Sequence, residues 1–89
     1  MMETLAVSLT NGEWSLISAG STTVAIDVKT ASRILIHFGG AIAPALDAPA
    51  VSVSSWHDGP DAVFEGLGSA DSVWCRSIDP SALIVVVRK

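Results

Sequence analysis

The chain is poor in charge, in basic residues above all. Charged residues make up 16% of its 89 residues, against about 25% in an average soluble domain. Its only basic residues, Lys29, Arg33, Arg76, Arg88 and Lys89, are scattered, and the formal net charge is −4. With no basic stripe, direct nucleic-acid binding is not expected, and an anionic membrane surface is disfavoured for the same reason. There is one cysteine, Cys75, and no tyrosine. A single Cys excludes an intrachain disulfide framework and a multi-cysteine zinc site, and is expected to be a small buried strand residue. No apolar run approaches the ~18 residues of a membrane helix. The start, "MMETLAVSLTNGEW", lacks the basic and continuous apolar regions of a secretory signal, so synthesis in a cytosol is expected. No phosphate loop, dinucleotide fingerprint or nucleophile turn is present, and no enzyme is expected.

What the chain does have is apolar residues, 49% of the total, arranged with a period of two. "TLAVSL" (4–9) sets Leu5, Val7 and Leu9 against Thr4, Ala6 and Ser8. "NG" at 11–12 is a turn signal, and "EWSLIS" (13–18) reads as a second strand. After a break at "AGS", "TTVAIDVKT" sets Thr22, Val24, Ile26 and Val28 inward and Thr23, Ala25, Asp27 and Lys29 outward. "RILIHF" (33–38) opposes Ile34, Ile36 and Phe38 to Arg33, Leu35 and His37. "GGAIAPALDAPA" (39–50) reads as a loop, because Pro44 and Pro49 argue against a helix. "VSVSSW" (51–56) is a short strand, and "AVFEGLG" (62–68) is a strand or a single helical turn, with strand preferred. "DSVWCRS" (71–77) and "SALIVVVRK" (81–89) complete the pattern. The expected fold is one all-β domain over residues 1–89, a small antiparallel sandwich or barrel of about seven or eight short strands.

Two features bear on function. "HDGPD" gathers His57, Asp58 and Asp61, but the spacing matches no established metal loop and Gly-Pro between acids is ordinary turn chemistry. No metal or cofactor is expected. The terminal "ALIVVV" is bulky on both faces, which calls for cover on both sides, from a second layer or from another subunit. Assigning Leu83, Val85 and Val87 inward as a set of three leaves Ile84 and Val86 outward. Trp74 and Leu35 are outward on their own strands by the same alternation. Leu35, Trp74, Ile84 and Val86 are therefore the interface candidates, the alternative being that they fill a second half of the core. A one-residue slip in register would exchange the faces.

The order "NGEWSLIS", "TTVAIDV", "RILIHF", the proline loop "APALDAP", "DSVWCRS" and a terminal "ALIVVV" resembles the small β-sandwich proteins of tailed-bacteriophage virions, the head-decoration, cement and head-fibre class. The resemblance spans Leu5 to Val87, with "DSVWCR" and the "NGEW…TTVAIDV" spacing its most specific parts. It implies a structural role without catalytic residues: a capsid decoration protein, made in the host cytoplasm and located on the virion. Its partners would be the major capsid protein or other virion proteins, and copies of itself, a trimer being favoured. The alternatives are a head–tail connector, tail or fibre-attachment component, or a carbohydrate- or surface-binding β module using Trp56 or Trp74 as a stacking platform.

Overall fold

The structure is a computed structural model that describes residues 2–30, 33–54 and 61–89. It contains eight strands: β1 (Glu3–Thr10), β2 (Ser15–Ala19), β3 (Thr23–Val28), β4 (Arg33–Gly39), β5 (Val51–Ser54), β6 (Ala62–Glu65), β7 (Ser72–Ser77) and β8 (Ser81–Arg88). The described residues include no helix, and the ambiguous stretch after position 61 is a strand. The all-β expectation holds.

The pairing follows a simple rule. β1 pairs with β8, β2 with β7, β3 with β6 and β4 with β5, all antiparallel, so the strands match inward from opposite ends of the chain. Two further antiparallel ladders, β3 with β8 and β4 with β7, roll this long ribbon into two sheets. Sheet A has the order β1-β8-β3-β6 and sheet B the order β2-β7-β4-β5. This strand order is that of the double-sheet jelly roll. The Asn11–Gly12 turn has an unexpected place in it. The chain bends there but crosses from sheet A to sheet B and does not close a hairpin. Positive φ angles among the described residues fall instead on Gly20 (78°) and Gly66 (72°), at the ends of β2 and β6. Gly20 also donates to Asp71 O at 3.0 Å, and a Cβ there would come within 3.3 Å of Ser69 O.

The core lies between the sheets. Leu9, Ile17, Val24, Ile26, Val28, Ile34, Ile36, Val73, Cys75, Ala82, Ile84 and Val86 form one buried cluster. Each full burial of a Val, Leu or Ile side chain contributes roughly 1.5–3 kcal/mol. The alternation read from the sequence is correct for β1, β3 and most of β4. It is reversed for β8. Ile84 and Val86 are fully buried while Leu83 is 38% exposed, so Ile84 and Val86 are core residues and not interface candidates. The reason lies in the ladder. Leu5, Val7 and Leu9 stand opposite Val86, Ile84 and Ala82, and residues directly opposite share a face. Counting bulky residues alone favoured the odd positions because it ignored Ala82, which is small but buried opposite Leu9.

Candidate interaction surface

The two sheets treat their outer faces differently. On sheet B, Leu16, Trp74 and His37 lie across β2, β7 and β4, and Leu35 lies opposite Arg76. Trp74 does point away from the core, as expected from its parity, yet it is only 7% exposed. Its cover comes from its own chain. The proline-containing loop 40–50 runs over this face as a strap. Trp74 Nε1 donates to Gly40 O at 3.0 Å and Trp14 Nε1 to Ala45 O at 2.9 Å. Arg76 Nη2 donates to Leu46 O at 3.0 Å, and its Nη1 reaches Asn11 O at 2.8 Å. His37 Nδ1 lies 2.8 Å from Pro49 O, a bond that requires the proton on Nδ1.

The same side chains also pack on one another. The Arg76 guanidinium sits 5.3 Å from the centre of the Trp14 ring, and Trp14 meets His37 at 5.7 Å. Proline-rich backbone suits this use, because its carbonyls have no ladder to join and accept side-chain donors instead. Leu35, opposite Arg76 on the same sheet, is half-buried. Trp74 and Leu35 therefore serve the strap side of the fold, and the strap in turn presents Ile42 (87% exposed) and Leu46 outward.

Sheet A has no such cover among the described residues. Thr4, Val87, Ala25 and Val63 form a row across all four strands, with Ala6, Val85 and Asp27 in the next row and Ser8 beside Leu83 in the third. Leu83 and Val63 (52%) are exposed, and Val85, Val87 and Ala25 are half-buried by their own neighbours. Two of the charges bordering this face, Lys29 and Asp27, neutralise each other. Lys29 Nζ meets Asp27 Oδ2 at 2.6 Å, and this contact raises the Lys29 pKa. The uncovered set is thus Leu83, Val85, Val87 and Val63. Alternation alone gives β8 the opposite parity, and the signal that corrects it is the register of β8 against β1.

Among the described residues, no group of three or more His, Cys, Asp or Glu side chains is placed to hold a metal ion. Of the "HDGPD" cluster, His57 and Asp58 lie outside the described residues, as does Trp56. Asp61 plays a local structural part. Its Oδ2 accepts from Val28 N at 2.8 Å while its own N–H donates to Ile26 O. It thereby ties the end of β3 to the start of β6. Cys75 is buried in the core, which pushes its thiol pKa up to about 12. A thiol so protonated is a poor nucleophile.

In comparisons with known proteins, no family model, no curated protein and no solved structure matches the chain.

Proposed function

We propose that the chain is a non-enzymatic structural protein of a bacteriophage virion, a decoration protein that docks on the assembled capsid shell. The observation that carries this reading is the uncovered apolar face of sheet A around Leu83, Val85 and Val87, on a fold whose other face is closed by its own strap. The jelly roll is an architecture of viral capsid and lectin domains, and this analogy of fold supports the reading. The resemblance over Leu5 to Val87 points the same way and favours a trimer on the shell.

The size of the face fits a summed contact. Four strands about 4.8 Å apart and five residues of about 3.3 Å cover roughly 300 Å², well below the ~800 Å² per partner of a stable binary interface. One such contact is weak. Many copies bound to one particle, each also contacting its neighbours, add up by effective concentration. Of the two tryptophans that the carbohydrate-module alternative would use, Trp74 lies under the strap and not on an open platform, and Trp56 lies outside the described residues.

The test is mass spectrometry of purified virions combined with a Val85→Asp variant. Hundreds of copies per particle, lost in the variant while the isolated domain stays folded, support shell decoration. A handful of copies supports a connector or tail position, and absence from the particle overturns the reading.

A further inference from the structure

We infer that the free edge of β6 accepts an extra strand from a partner protein, an extended segment in which apolar and basic side chains alternate. This inference is independent of a virion role. β6 ends the order of sheet A, so among the described residues one side of its backbone faces no neighbouring strand. A hollow of about 460 Å³ lies against it, lined by Phe38, Val63, Phe64, Glu65, Leu67 and Asp71.

Three of these residues are consecutive in β6. Successive side chains of a strand point to opposite faces, so a hollow touched by all three runs along the strand and reaches its backbone at the open edge. An occupant of that hollow lies beside the backbone of β6, where an extended chain gains main-chain hydrogen bonds and places alternate side chains on the two faces. On the inner side it meets apolar surface. Phe38 and Phe64 contact each other edge to face, with centroids 4.7 Å apart, at the open margin of the sandwich where Phe38 remains 40% exposed. On the outer side Val63 is 52% exposed.

Charge selects the occupant. Glu65 makes no ion pair among the described residues, and Asp71 uses one carboxylate oxygen, Oδ2, to accept from Gly68 N at 2.7 Å. Neither Lys nor Pro, the usual guards of an exposed edge, occurs in Ala62–Glu65. Two copies of this chain joined at β6 would bring both Glu65 and both Asp71 carboxylates to one seam, on subunits of net charge −4. A basic segment neutralises them. The acidic, apolar-floored edge therefore disfavours self-pairing and favours a basic partner strand.

The test is an NMR titration of the full chain with a capped heptapeptide of alternating valine and lysine. The controls are a valine–glutamate peptide and two valine–lysine peptides, each N-methylated on one of the two alternating sets of backbone amides. The expected result is amide shifts confined to 62–67, Phe38 and Asp71, and no binding of the acidic peptide. Binding is expected to weaken by about ten-fold or more with Glu65→Lys and with one of the N-methylated peptides. Glu65→Gln, a milder change at an exposed site, is expected to weaken binding in the same direction. Absence of binding at millimolar peptide, indifference to both N-methylated peptides, indifference to both Glu65 variants, or shifts centred on Leu83, Val85 and Val87 would each overturn the proposal.

Discussion

The indole N–H of Trp74 reaches the carbonyl oxygen of Gly40 at 3.0 Å, across 34 positions of sequence. The contact joins the outer face of β7 to the first residue of the strap, and it explains an outward tryptophan that is nonetheless buried. Trp14 repeats the arrangement on Ala45 further along the strap. Two large aromatic faces cover sheet B while their polar edges satisfy backbone carbonyls that no ladder reaches, the combination for which buried Trp is suited.

Replacing Trp74 by Phe keeps most of the apolar cover and removes the donor. The expected cost is about 1–2 kcal/mol in denaturant unfolding, the range for a partly buried carbonyl left without its partner. Hydrogen exchange should quicken at those amides of 40–50 that are protected in the parent, with the amides of β3 and β8 unchanged relative to global stability. A variant as stable as the parent with an equally protected strap would show that the bond holds nothing in place.

Arg88 joins the two sheets at the edge of the core. Its Nη1 donates to Ile17 O at 2.6 Å and its Nε to Glu3 Oε1 at 3.0 Å. Ile17 is the residue at which the β2–β7 register shifts, and a bulge leaves its extra residue without a ladder partner. The guanidinium takes up the carbonyl that the bulge releases. Arg88→Met should therefore cost about 1–3 kcal/mol. Glu3→Gln, which removes only the charge of an exposed partner, should cost less than about 1 kcal/mol. Equal losses in the two variants, measured by urea denaturation, would mean that the surface ion pair and not the bulge carbonyl is the contact that matters.

The fold was legible in the sequence wherever one face is apolar and the other polar. Val24, Ile26 and Val28 against Ala25, Asp27 and Lys29 could be read only one way, and the structure buries the first set. β8 offered no such contrast, because both of its faces are apolar and its parity is fixed by a partner about 80 residues away, as in Leu5 opposite Val86. Long-range register leaves no local trace. The strap was legible as a loop from its prolines, but not as a cover for sheet B. Its anchors are side-chain donors on β4 and β7 and on the turn before β2, separated from it by up to 34 residues. The uncovered face of sheet A follows from the same missing register. Phe38, inward by alternation, is nevertheless exposed because the sandwich is open where it meets Phe64.

Burial of Cys75 gives a pH dependence with a definite sign. Its thiol pKa rises from 9.0 to about 12 because the thiolate would be desolvated. Between those values the unfolded chain loses the proton and the folded chain keeps it. The unfolded state then binds fewer protons, so stability falls as pH rises through that window, by at most about 1.4 kcal/mol per pH unit. Well below pH 9 the group contributes no slope. Cys75→Ala should flatten this part of the stability profile, at the cost of a small cavity. In the native protein at about pH 8, below the thiol's ordinary range, a thiol reagent should react only through global unfolding. Fast labelling in the absence of denaturant would show that the thiol is open to solvent.

The terminal strand separates the core from the contact surface most directly, because adjacent residues have opposite assignments. Ile84 is fully buried and Leu83 is 38% exposed. Ile84→Ala should cost about 2–5 kcal/mol through lost burial and the cavity left behind, whereas Leu83→Ala on the open face should cost less than about 1 kcal/mol. Charged substitutions sharpen the contrast. Ile84→Asp places an unpaired carboxylate between the sheets and should abolish folding. Val85→Asp places one on the outer face of sheet A, where water reaches it, and should leave the circular-dichroism spectrum and cooperative unfolding intact. The same variant should abolish any binding that uses this face, which sedimentation of the purified protein with capsid shells would measure. A Val85→Asp protein that unfolds would make β8 buried on both faces within a single chain. A folded variant that still co-sediments with shells would move the contact surface elsewhere, with the outward Ile42 and Leu46 of the strap as the next apolar groups to replace.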